Sequence, residues 1–239
     1  MTLAITFLLG MFFLVGIYII KAAKNVAIIE HLSIAIASGA LVMLLAMDLL
    51  PEAVESFEGV SWWMPVVFVA AGVGLLMILD IFIPEHGDNH DPEGEIIHIG
   101  LIASFAIILH NVIEGMAVYG LACESLRQGA VLAIGVGLHN IPMGMLIYST
   151  LKKEEKKKEH VVIGMACIST FLGGLIMAMV SGYMNQVLLG ALICITVGMI
   201  LFILFLELIP YMIRAKRPSV SVIGALAGVA IVFISMMFE

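Results

Sequence analysis

Two histidines and one glutamate interrupt long apolar stretches of the chain: His110, Glu114 and His139. Glu114 follows His110 by four positions, so on a helix the two side chains share one face, a turn apart. Imidazole and carboxylate together suit zinc, iron, manganese and related divalent ions. Asn111 and Asn140 follow the two histidines and add neutral oxygens, and Met143, one turn beyond His139, offers a thioether. The two windows echo one another. Leu109-His110-Asn111-Val112-Ile113-Glu114-Gly115-Met116 aligns with Leu138-His139-Asn140-Ile141-Pro142-Met143-Gly144-Met145, and Tyr119 with Tyr148. A lone histidine in an apolar helix is as often packing as a ligand. Two at matched depth, with an acid one turn away, favour an ion site, because a carboxylate in hydrocarbon is costly unless paired or coordinated. Pro142 removes a backbone hydrogen bond and can free the Leu138 carbonyl; a tolerated kink is the plain alternative.

Further acids flank this centre. Asp48, Glu52 and Glu55 read as one end of a helix; Glu52 and Glu55 are equally ordinary interface residues, whereas Asp48 is deeper and suits an entrance. Asp80 and Glu207 lie at similar depth toward the other side, as an inner relay or as acids snorkelling to water. The stretch from Pro84 to Glu93 holds His86 and His90 among acids, either a weak metal-collecting loop or a solvated linker.

These residues need helices to carry them. The chain has 239 residues, 62% hydrophobic and 12% charged, and a soluble domain of that length exposes far more charge. A span needs about 20 largely apolar residues. Eight segments qualify, at 2–22, 28–54, 62–84, 96–121, 128–150, 161–184, 187–213 and 218–238, which predicts one all-α transmembrane domain over 1–239. Lys21, Lys24, the run from Lys152 to Lys158, Arg214, Lys216 and Arg217 fall on one side and only Arg127 on the other. The positive-inside rule then places both termini outside the cytoplasm. The Lys152–Lys158 run reads as a solvated loop. Trp62 and Trp63 mark the outer interface, and Gly72, Gly74, Gly173 and Gly174 suit close helix contact.

The cysteines, Cys123, Cys167 and Cys194, form no CxxC pair, so neither a disulfide framework nor a thiolate zinc site is expected. The net charge of −7 gives no sign of nucleic-acid binding. The N-terminus lacks a basic n-region and reads as a retained helix.

A second echo joins Asp48-Leu49-Leu50-Pro51 in helix 2 to Glu207-Leu208-Ile209-Pro210 in helix 7. The two helices run in opposite directions, so the echo is the trace of an inverted repeat of helices 1–3 and 6–8 around helices 4 and 5. Transporters with such repeats place their substrate near the bilayer midplane.

With these motifs in view, the chain resembles the bacterial branch of the ZIP (Zrt-, Irt-like protein) metal transporters. The resemblance is carried by His110-Asn111-x-x-Glu114-Gly115, by His139-x-Ile141-Pro142 and by the acidic-Leu-[Leu/Ile]-Pro pairs, and it covers essentially the whole chain. It implies a 3+2+3 arrangement in the inner membrane and a divalent ion as substrate, zinc first and iron, manganese or cadmium as alternatives. It further implies movement into the cytoplasm by an elevator-like shift of helices 1, 4, 5 and 6, with a homodimer as a partner arrangement. By motif position the ligands would be His110, Asn111, Glu114, His139 and Asn140, with Met143 beside them.

The pattern also departs from that family. Met143 stands where the family has an acid after the helix 5 proline, Asn140 replaces an acid, and helix 6 from Val161 to Met184 holds no carboxylate. One bound metal per chain is therefore expected, not two. A non-transporting metal sensor and an intramembrane zinc hydrolase are the competing readings. The hydrolase lacks HExxH and a third midplane histidine, so no enzymatic activity is expected.

Overall fold

The computed structural model describes residues 1–22, 26–83, 92–152, 156–183 and 185–238. Eight helices in it are long and apolar enough to cross a membrane: α1 (Thr2–Ala22), α2 (Ile28–Ser56), α3 (Trp63–Phe82), α4 (Gly94–Glu124), α5 (Leu126–Leu151), α6 (Lys156–Val180), α7 (Gln186–Arg214) and α8 (Pro218–Ser235). No strand occurs among the described residues. Hydrocarbon leaves a backbone no partner but itself, so helices are the natural outcome of this composition.

One helix reaches beyond its apolar segment. Helix α6 starts at Lys156, not near 161, because Lys and Glu are good helix formers and extend a span into water readily. The N-termini of α5 and α7 are capped as sequence rules suggest. The Ser125 hydroxyl and the Asn185 side-chain oxygen accept from the backbone N–H groups of Gln128 and Leu188, at 3.4 and 2.8 Å.

Small residues set how the helices pair. A Cβ on Gly16 of α1 would overlap the Ile141 carbonyl of α5, and one on Gly144 of α5 would overlap the Phe13 carbonyl of α1. The same reciprocal approach joins α4 to α6 (Gly115 on Thr170, Gly173 on Val112), α2 to α8 (Gly39 on Ala225, Gly228 on Ile36) and α3 to α7 (Gly72 on Ile195, Gly198 on Val69). Apolar side chains gain little by leaving lipid for one another, so backbone-to-backbone approach is how membrane helices associate tightly. Of the glycines expected at contacts, Gly74 is the exception: nothing lies within 4 Å of its missing Cβ.

Gly10 of α1 against the Cys167 carbonyl of α6 and Gly190 of α7 against Ser56 of α2 join these pairs into two bundles, α1/α4/α5/α6 and α2/α3/α7/α8, and no described glycine makes such an approach between the bundles. They also obey the inverted repeat. Exchanging α1 with α6 and α4 with α5 turns the α1–α5 seam into the α6–α4 seam, and exchanging α2 with α7 and α3 with α8 turns the α2–α8 seam into the α7–α3 seam.

The second sequence echo has a structural counterpart as well. Helix α2 widens into a π-helical turn at Leu45–Leu49, and α7 does so at Ile203–Leu208. Pro51 and Pro210 lie just beyond each turn. Proline supplies no N–H and its ring crowds the carbonyl four residues back, and a wider turn relieves both. Asp48 and Glu207 each sit on such a turn, three positions before the proline.

Candidate metal site

Helices α4 and α5 pack against each other and bring His110, Glu114 and His139 into one cluster. Nε2 of His110 lies 2.8 Å from Oε1 of Glu114, and Nε2 of His139 lies 2.7 Å from that same oxygen. The rings are 6.4 Å apart, centroid to centroid, and tilted by 31°. All three ligand atoms fall within 4.8 Å of one another. The two imidazoles are 3% and 2% exposed and the carboxylate 10%. One acid with two nitrogens on a single oxygen is a concentrated donor set in a dry environment.

The spacing shows what an ion would have to change. Zinc bonded to N and O at about 2.0–2.2 Å holds tetrahedral neighbours roughly 3.3 Å apart. Contacts of 2.7 and 2.8 Å are hydrogen-bond lengths, so each ring must open from Glu114 by about half an ångström. The protons that make those contacts favourable must also leave, because a metal takes the bare imidazole nitrogen.

Asn111 and Asn140 are 0% exposed, and neither amide finds a hydrogen-bond partner among the described residues. A buried amide left unpaired costs about 1–3 kcal/mol, so two of them beside the histidines are a reserve of neutral donors. Met143 is 1% exposed and lies within the apolar core cluster.

A cavity of about 380 Å³ runs along one side of the cluster, lined among others by Met47, Asp48, Glu52, Glu55, His110 and Glu114. It links exposed Glu55 at the end of α2 with the interior, so the centre communicates with the end of the bundle opposite the lysines. Asp48 lines this cavity from its π-helical turn.

Toward the basic end, Asp80 and Glu207 come together with His98, their ligand atoms all within 4.8 Å. His98 Nε2 lies 2.8 Å from Oδ1 of Asp80. The two acids stand out in the sequence, but His98 does not. It falls near the start of α4, where a histidine reads as an interface residue, and its meaning depends on α3 and α7 closing against it. His86 and His90 lie outside the described residues.

Lys152 departs from the solvated loop expected for it. Its Nζ lies 3.1 Å from Oε2 of Glu30, with side chains 15% and 7% exposed.

A family model described as "ZIP Zinc transporter" matches residues 83–236, which span α4 to α8 whole and include His98, His110, Glu114, His139 and Glu207. The chain belongs to the ZIP family. Its curated relatives include the "Zinc transporter ZupT" of Corynebacterium aurimucosum, 27% identical over 222 residues, covering 85% of this chain and 83% of that one. The ZupT of Clostridium perfringens is 26% identical over 242 residues, covering 86% and 84%. That of Corynebacterium glutamicum is 29% identical over 227 residues, covering 86% of each chain. These ZIP relatives are named as transporters, not enzymes, and the alignments run through both bundles. The hydrolase reading falls with them.

Proposed function

We propose that this ZIP protein carries a divalent transition metal, zinc first, across the inner membrane into the cytoplasm, one ion per chain, through a site made by His110, Glu114 and His139. The observation that carries the reading is the convergence of two imidazole nitrogens, at 2.8 and 2.7 Å, on one oxygen of a single mid-span carboxylate. Asn111 and Asn140 supply neutral oxygens to the ion directly or through water, and Met143 adds a thioether when α5 turns toward it. The names of the ZupT relatives favour zinc over iron, manganese or cadmium.

The path follows from charge. The positive-inside rule assigns the lysine-rich end to the cytoplasm, which leaves both termini outside. A cation then enters past Glu55, Glu52 and Asp48, where acids raise its local concentration. It exchanges the Glu114 hydrogen bonds for coordination, and leaves by Asp80, His98 and Glu207 toward His86 and His90. Movement of α1/α4/α5/α6 against α2/α3/α7/α8 would carry the site between the two sides, each bundle kept rigid by its glycine seams. A homodimer is the assembly in which we expect it to work.

The test is metal uptake by the purified chain in proteoliposomes, across Zn, Fe, Mn, Cd, Co and Cu. Saturable uptake with zinc preferred supports a carrier. Tight binding with no flux of any metal would establish a sensor instead.

A further inference from the structure

Two ion pairs and one histidine–carboxylate hydrogen bond join the two bundles among the described residues, and all lie at the basic end: Glu30 of α2 with Lys152 after α5, Arg214 of α7 with Glu95 of α4, and Asp80 of α3 with His98 of α4. The opposite end has the acid-lined cavity between the same bundles. The three contacts are not equivalent. Arg214 and Glu95 are 60% and 38% exposed, and a water-facing pair of that kind holds little. Asp80 and His98 belong to the outgoing metal path described above. Glu30 and Lys152 are 7% and 15% exposed, which makes theirs the desolvated bridge.

We infer that the Glu30–Lys152 ion pair is a latch that holds the protein open toward the acidic end and closed toward the basic end; this rests on the two-bundle transport reading. Each partner is anchored to a different bundle. Glu30 lies on α2, which is seamed to α8 by Gly39 and Gly228. Lys152 caps α5, which is seamed to α1 by Gly16 and Gly144. Neither bundle can yield locally, so a sliding motion must separate the charges. In the closed arrangement little water competes with the pair, and separation there leaves two uncompensated buried charges. Once the bundles move and the basic end opens, both groups gain water and need no partner. The pair therefore stabilises one state and not the other, which is the requirement for shifting a population.

The experiment measures the distance between bundles directly, without reference to flux. Spin labels go on Lys156→Cys of α6 and Ile213→Cys of α7, both exposed and on different bundles, in a Cys123→Ser background that keeps the buried Cys167 and Cys194. Pulsed dipolar spectra are recorded on full-length protein in lipid. The latch predicts one dominant distance in the parent. Glu30→Gln and Lys152→Met should each bring up a second distance in at least about a fifth of molecules, a roughly tenfold shift if the parent holds it near 2%. The charge swap Glu30→Lys with Lys152→Glu should restore the parent distribution. A variant that misfolds is recognised by loss of monodispersity and is replaced by Glu30→Asp, which keeps the charge, shortens the reach and should give a smaller second population. Distance distributions in folded variants that superimpose on the parent overturn the latch. If zinc uptake survives in the parent at the same time, the failure belongs to the latch alone; if the parent moves no metal, the transport reading fails whatever the distances show.

Discussion

Oε1 of Glu114 is where two helices meet: Nε2 of His139 on α5 is hydrogen-bonded to it at 2.7 Å, and Nε2 of His110, one turn back on α4, lies 2.8 Å away. The carboxylate thus ties α4 to α5 at mid-span, and the atoms that make the tie are those that a metal needs. Binding and local structure compete for the same lone pairs.

His110→Ala tests that competition. It removes one imidazole and leaves Glu114 with His139. Loss of an outer-shell partner typically weakens metal binding about 10–100-fold, so loss of a direct ligand should reach at least the upper end of that range. Zinc titration of detergent-purified protein measures it. A dissociation constant within a factor of two of the parent would remove His110 from the ligand set.

Stoichiometry follows from the donors that are missing. The resemblance to the family implies acids at the places of Asn140 and Met143, and Asn111 and Asn140 offer no charge to offset another two positive charges. Elemental analysis of zinc-loaded protein should give one ion per chain at the centre. Two adjacent anomalous peaks between α4 and α5 would contradict it.

Met143 is expected to tune preference. It lies one turn from His139 and is 1% exposed, so Met143→Glu puts a carboxylate where only a bound cation can compensate it. The folded variant should favour zinc or manganese over cadmium or Cu(I) more strongly than the parent, because a hard oxygen replaces soft sulfur. Competition binding decides. An unchanged order of preference in a folded variant means that Met143 is packing.

The glycine seams are a claim about stability. Gly115→Val should force the Thr170 carbonyl away and cost about 1–3 kcal/mol or more, as overpacking does. Gly74→Ala meets open space and should be neutral or stabilise by up to about 1 kcal/mol through helix propensity. Thermal unfolding in detergent compares the two. Equal Tm values would show that the α4–α6 seam does not hold the bundle together.

Sequence reasoning reached the helices and the centre by different means. Hydropathy found all eight spans because bilayer thickness sets their length. The cluster of His110, Glu114 and His139 was legible because its two histidines recur in aligned windows, His110-Asn111 and His139-Asn140. What pattern could not supply was pairing at a distance. His98 acquires meaning only beside Asp80 and Glu207, and Lys152 only beside Glu30, a contact between the start of α2 and the end of α5. The π-helical turns were likewise hidden. Pro51 and Pro210 announce a disturbance, but whether a helix kinks, breaks or widens depends on the packing around it. Gly74 erred the other way, as a small residue that looks like a contact and has none.

The central claim is that Glu114 carries the ion. The direct measurement is initial zinc uptake into proteoliposomes by the parent and by Glu114→Gln at equal reconstitution, with fold checked by monodispersity. The substitution keeps size and hydrogen bonding and removes only the charge. The expected result is saturable uptake by the parent and, in the variant, uptake at the level of empty liposomes. Uptake by Glu114→Gln at the parental rate would contradict the account.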